Sequence, residues 1–194
     1  MGLFKRLLYG KTAERSRGFE IVSKEHRTLA DSSIFLPIRG TRTSAGYDFF
    51  ATKDLVILPQ QTVKFKTDVK AYMGKDEVLL IDIRSSVGIK KDLMIANTLG
   101  VIDSDYYENV DNDGNIMIAL RNLKPELKLL GSTKFLIPPE NEIIVPIIKD
   151  VTVENQIVIP QGEKVAQGIF MKFLPADNCN SDVERTGGVG STNA

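Results

Sequence analysis

A chain of 194 residues that is 42% apolar and 26% charged supports one packed core and is short for two, so a single domain with appendages is expected. Its 25 basic and 25 acidic side chains give a formal net charge of zero, which excludes a global pull toward nucleic acid or an anionic membrane. One cysteine, Cys179, and one histidine, His26, exclude an internal disulfide and a Cys/His zinc site, and point to a reducing, cytoplasmic setting. No apolar run approaches the roughly 20 residues that span a bilayer. The first segment, MGLFKRLLYGK, sets Leu3, Phe4, Leu7 and Leu8 on one helical face beside Lys5, Arg6 and Lys11. An amphipathic anchor is one reading; a loosely ordered extension over residues 1–17 is the expectation, without signal peptide or myristoylation pattern.

From residue 18 the pattern is β, with short apolar or alternating runs broken by Pro, Gly and Asn. In chain order the predicted strands are LVIL (55–58), TVKFKT (62–67), EVLLIDI (77–83), LMIA (93–96), NIMIALRN (115–122), EIIVPII (142–148), QIVIP (156–160) and VAQGIFMKFL (165–174). Many short strands with almost no helical periodicity predict an all-β, jelly-roll-like body over 18–178. SAGYDFF (44–50) reads as the start of a further strand. The tail from 179 to 194 turns to Gly, Ser, Asn and Thr, and reads as a flexible arm outside the core.

Three stretches bear chemistry. RSSVGIKK places Arg84, Ser85 and Ser86 directly after EVLLIDI, a guanidinium fork and two hydroxyls that suit a polyphosphate. NTLGVIDSDYYENVDND (97–113) crowds carboxylates and amides between two apolar runs. A solvated hairpin loop is the plain reading, and a carboxylate that activates water or helps hold a metal is the other. GGVGST (187–192) gathers small residues whose backbone N–H groups can approach a phosphate, with Arg185 alongside. It lacks the Lys-Ser/Thr pair of a Walker loop.

The order of these stretches is more specific than any one of them. SAGYD, RSS, ANTLGVIDSDYY, GEKVAQGIF and ERTGGVGST together resemble the five ordered motifs of the trimeric dUTP pyrophosphatase (dUTPase) family over roughly 17–192. The DYY…DNDG stretch and the ERTGG tail are most similar to its phage and Gram-positive bacterial members. The resemblance implies a jelly-roll-like β-clip fold, a homotrimer with a swapped C-terminal arm, dUTP as substrate, and hydrolysis to dUMP and pyrophosphate. Water attacks the α-phosphorus in line, so the protein needs a base and no nucleophilic side chain.

By that resemblance Asp103 is the general base, and Asp105, Asp111 and Asp113 are supporting or loop residues. Asn97 reads the uracil edge, joined by backbone groups of Gly100, Val101 and Ile102 and by Met117 on the returning strand. Tyr106 packs under the deoxyribose and excludes a 2′-hydroxyl. Arg84, Ser85 and Ser86 hold the triphosphate with Gln167 of a neighbouring subunit, while Asp48 shapes the surroundings of the sugar and metal waters. Arg185, Gly187, Gly188, Val189, Ser191 and Thr192 of the arm close the site. Mg²⁺ is implied, held mainly by substrate phosphates and waters with no direct protein ligand.

The sequence departs from the family in two places. Val189 stands where an aromatic lid is common, which leaves Tyr107 as another ring able to cover the uracil. Residues 124–150 look like an inserted hairpin. A dCTP deaminase shares RSS and an ID turn, but needs a glutamate where GNIMIALRN has Ala119. Phage-type members also act as protein ligands of repressors, so the resemblance leaves a repressor partner open beside dUTP.

Overall fold

The computed structural model describes residues 15–125 and 155–179 together with Arg185 and Gly187. Residues 1–14 of the extension expected over 1–17, most of the predicted insertion with its strand 142–148, and Gly188, Val189, Ser191 and Thr192 lie outside the described residues. The described chain forms β1 (Gly18–Ile21), β2 (Ile38–Arg39), β3 (Tyr47–Phe50), β4 (Leu55–Ile57), β5 (Thr62–Lys66), β6 (Val69–Tyr72) and β7 (Glu77–Ile83). A short helix α1 (Ser85–Lys91) follows, then β8 (Leu93–Ile95), β9 (Gly100–Asp103), β10 (Met117–Asn122), β11 (Ile157–Ile159) and β12 (Lys164–Lys172).

All pairings are antiparallel. The largest sheet has the order β2-β3-β12-β7-β9, a second has β5-β10-β8, and β1-β6 and β11-β4 form two-stranded ribbons. Alternation explains the burial. In EVLLIDI, Leu79 and Ile81 are buried while Val78, Leu80 and Asp82 face outward, as period-two side chains require. These inward residues meet Phe49, Ile118, Leu120, Ile159 and Val165 in one core, each large apolar side chain contributing about 1.5–3 kcal/mol by burial.

The sequence pattern hid several elements, among them two that frame the site. GVID, with a glycine and an aspartate, reads as a turn; it is the edge strand β9, paired to β7 with Gly100 opposite Ile81. A Cβ on Gly100 would stand 3.2 Å from the Ile81 Cβ, so the glycine permits the close approach. SSVGIKK carries poor helix formers, yet the Val87 side chain buried on its inner face anchors a single helical stretch.

The acid-rich stretch after β9 is a built turn. The Asn109 amide donates to the Tyr106 carbonyl (2.8 Å) and to Asn112 Oδ1 (2.9 Å), and its oxygen accepts from the N–H groups of Asp111 and Asn112. Gly114 closes it at φ +76°, with the Tyr106 carbonyl 2.8 Å from where a Cβ would lie. Asp113, expected as loop, sits in that turn and also clamps it. It accepts from the Ser23 N–H at 2.6 Å and from Lys70 Nζ at 3.0 Å. Burial alone would raise its carboxyl, but those two donors outweigh burial and hold it below the usual carboxylate range.

Candidate active site

A cavity of about 530 Å³ opens between the edge strand β9 of one sheet and β10 of the other. Its walls bring together Asn97, Gly100, Val101, Ile102, Tyr106, Met117 and Arg185, all singled out in the sequence, with Ile81, Ile95 and Ile118 as apolar floor. Because β9 is an edge, alternate N–H and C=O groups of its backbone have no sheet partner and face the cavity side. Asn97 lies just beyond β8, and among the described residues its side-chain amide has no hydrogen-bond partner. Such an amide offers one acceptor and two donors to a base edge.

Tyr106 is 5% exposed. Its hydroxyl donates to the Asn115 carbonyl (3.2 Å) and accepts from Asn112 Nδ2 (2.8 Å), which fixes the ring against the cavity wall. Burial pushes its phenol pKa up. Tyr107 turns the other way. Its hydroxyl donates to Glu20 Oε2 at 2.5 Å and its ring lies under Lys70 Nζ at 4.8 Å, outside the cavity lining.

Asp103 ends β9 with its side chain 52% exposed, and Asp105 follows on a 3-10 turn at 56%. Arg185 joins them: its Nη2 lies 2.7 Å from Asp103 Oδ2, its Nε 2.9 Å from Asp105 Oδ1, and its guanidinium carbon 5.7 Å from the Tyr106 ring centre. The arm thus touches the carboxylates through one planar fork. Gly187 is buried nearby in sequence.

The phosphate candidates form a second cluster. Asp48, 5% exposed on β3, receives Arg84 Nε and Lys164 Nζ, each at 2.9 Å. Asp48 thus fixes where both cations stand. Ser85 and Ser86 open α1 beside Arg84. Gln167 of β12 stands between Asp48 and Asp82 in the ladder, and a Cβ on Gly46 would meet its Oε1 at 2.7 Å; the glycine of SAGYD makes room for this amide. Within one chain the two clusters stay apart. Asp48, Gln167 and Asp82 are in register, and Asp103 is opposite Val78. That is three strand spacings across and four residues along, about 20 Å.

Lys64 and Ala119 also line the cavity and face each other across β5 and β10. Pattern reading could not place Lys64 there, since only the pairing of β5 with β10 turns it toward β9. Ala119 presents a methyl where deamination would need a glutamate. Among the described residues no group of three or more His, Cys, Asp or Glu is arranged to hold a metal ion, and no helix is long and apolar enough to cross a membrane.

An antiparallel β body whose cleft of about 530 Å³ presents an open amide and an exposed strand edge, with a carboxylate pair under an arginine at its rim, fits the class of nucleotide-binding hydrolases. The dUTPase family model matches residues 32–126. The deoxyuridine 5′-triphosphate nucleotidohydrolase of Lactococcus lactis is 38% identical over 180 residues, covering 92% of this chain and 98% of the relative. Among solved structures, the dUTPase of Streptococcus mutans superposes with a TM-score of 0.61 at 33% identity, covering 82% of this chain and 98% of that one. The Staphylococcus bacteriophage 80alpha dUTPase gives 0.61 at 25% identity, covering 88% and 98%. The chain belongs to the dUTPase family, and its reaction is the hydrolysis of dUTP to dUMP and pyrophosphate.

Proposed function

We propose that Asp103 is the general base that deprotonates the water attacking the α-phosphorus. The Asn97 amide and the outward backbone groups of Gly100, Val101 and Ile102 read the uracil, which lies against Met117. An amide that donates and accepts at once suits O4 and N3–H of uracil, and misaligns with the 4-amino group of cytosine. Tyr106, held rigid by its two hydrogen bonds, supports the deoxyribose and excludes a 2′-hydroxyl. A triphosphate carries about four negative charges, so it competes with Asp103 and Asp105 for Arg185 and frees the base as the arm closes. Gly187, Gly188, Val189, Ser191 and Thr192 complete that closure in this reading.

The backbone separation of about 20 Å between Asp103 and both Asp48 and Arg84 carries the rest of the proposal. A base and a phosphate grip so far apart cannot serve one α-phosphorus in a single chain. Arg84, Ser85 and Ser86, positioned by Asp48, therefore grip the triphosphate bound to a neighbouring subunit of a homotrimer, and Gln167, expected from a different subunit than Arg84, joins them from the same chain because it pairs with Asp48. The outer face of the large sheet between the two clusters carries Val78, Leu80, Val101, Ile169 and Met171. Val101 is 56% and Met171 49% exposed, an apolar surface suited to a second copy. Exchanging arms in that trimer would substitute a neighbour's Arg185 for the chain's own at the same carboxylates.

dUTPases generally use Mg²⁺. Among the described residues no group of three or more His, Cys, Asp or Glu could cage it, so substrate phosphates and waters would hold it, with Asp103 left as the proton acceptor. When bound, the ion folds the triphosphate and stabilises charge on the leaving pyrophosphate. The test is to incubate the protein with dUTP, dCTP, dTTP and UTP plus Mg²⁺ and to follow pyrophosphate and ammonia. Pyrophosphate from dUTP alone is expected; ammonia from dCTP would replace this reading with a deaminase.

A further inference from the structure

We propose that Lys53, Lys64 and Lys66 form a second anion site, for pyrophosphate or inorganic phosphate, beside the nucleotide cavity. These three lysines line a cavity of about 240 Å³ together with Thr28, Thr52 and Met117. Their convergence follows from the fold. Lys64 and Lys66 are two residues apart on β5 and so share one face. The Thr52 hydroxyl donates to the Lys66 carbonyl at 2.7 Å and draws the loop bearing Lys53 onto the same strand. Opposite them on β10 stand Ala119 and Met117, neither of which carries a charge.

Among the described residues none of the three lysines has a carboxylate or hydrogen-bond partner, whereas Lys70, Lys91, Lys164 and Lys172 are each paired within 3.1 Å. In a chain of zero net charge, three lysines without carboxylate partners around one small cavity make its mouth locally positive and favour an anion there, with the buried Asp68 carboxylate held behind the wall by Thr28. Lysine binds phosphate as a point charge, without the planar fork that selects carboxylates. Nucleotide-sized or drug-sized pockets run to about 300–1,000 Å³. A cavity of about 240 Å³ fits the small inorganic anion and leaves no room for a second nucleoside. Lys64 and Met117 also line the nucleotide cavity, so an occupant here shares a wall with the base-binding site, and the reaction itself releases one candidate anion.

Calorimetric titration of the full chain with pyrophosphate tests the site, with Arg84→Gln as the background that weakens the other phosphate patch. The expected result is that Arg84→Gln still binds pyrophosphate, and that adding Lys53→Gln and Lys66→Gln weakens this binding at least tenfold. Both added positions lie outside the nucleotide cavity, so Lys53→Gln/Lys66→Gln alone should keep wild-type dUTP turnover and melting temperature, which reports an intact fold. Parallel titration with inorganic phosphate separates the sources: equal affinity assigns a one-phosphate site, and pyrophosphate binding alone assigns the product. No binding by Arg84→Gln, or unchanged binding after the lysine substitutions, overturns the proposal. Because heat is read on the substrate-free protein, either failure leaves the hydrolase reading untouched.

Discussion

Asp103 meets Arg185 at 2.7 Å while its side chain stays half-exposed, so water and a cation both reach it. Asp103→Asn keeps the shape and the accepting oxygen and removes the proton acceptor. Turnover is expected to fall about 100-fold or more, with binding of a non-hydrolysable dUTP analogue nearly unchanged. Near-normal single-turnover rates would remove Asp103 from the role. Tyr106 is a harder test, because its ring is also core. Tyr106→Phe loses two hydrogen bonds and should cost about 1–3 kcal/mol of stability while keeping selection against UTP. Tyr106→Ala opens the volume at the 2′ position at a cost of about 3–5 kcal/mol. The quantity to compare is the dUTP/UTP ratio of kcat/KM, which should drop for Ala and hold for Phe; an unchanged ratio in Ala would show that another group makes the selection.

At the scale of elements, strands marked by short apolar or alternating runs were legible: LVIL, TVKFKT, EVLLIDI and QIVIP all contain the strands found. β6 and β9 were not, because VKAY takes a lysine into the interior and GVID carries turn-forming residues. Lys70 is buried only because Asp113 and Glu108 pair with it, a partnership across 38 or more residues that no local window contains. The same holds for Arg17, which donates to Glu77 at 2.5 and 3.0 Å and ties the start of β1 to β7. Arg17, then the Gly74 N–H, holds the Glu77 carboxyl below its ordinary range. A depressed folded-state value means stabilisation that is full above the unfolded value of about 4.3 and is lost as pH falls through the folded one. Melting curves from pH 7 down to pH 3 should therefore show Tm dropping below about pH 4.3. Glu77→Gln should melt about 2–4 °C lower at neutral pH and show a shallower acid slope. A slope identical to the parent would mean that other carboxylates, Asp113 first among them, set the acid limit.

The whole molecule poses the question of how two half-sites meet. Motif order in the sequence named the residues of both halves, but order along a chain carries no distance, and only the strand register separates Asp103 from Asp48 and Arg84 by about 20 Å. If a neighbour closes that gap, each active site takes Asp103 from one chain and Arg84 from another. Two defective chains can then repair each other. Asp103→Asn and Arg84→Ala homotrimers should both be nearly inactive. When the two are unfolded together in equal amounts and refolded, a site works only where an Arg84→Ala chain supplies Asp103 and an Asp103→Asn chain supplies Arg84. Random assembly gives that arrangement at about one site in four, so the mixture should recover about a quarter of wild-type activity. Both variants keep Arg185 and the rest of the arm, so arm exchange does not alter the count. Simple mixing without refolding should recover nothing if the trimer is stable, which separates repair by assembly from contamination. If base and phosphate grip act within one chain, the refolded mixture will stay as inactive as its parents, and the divided site will have to be abandoned.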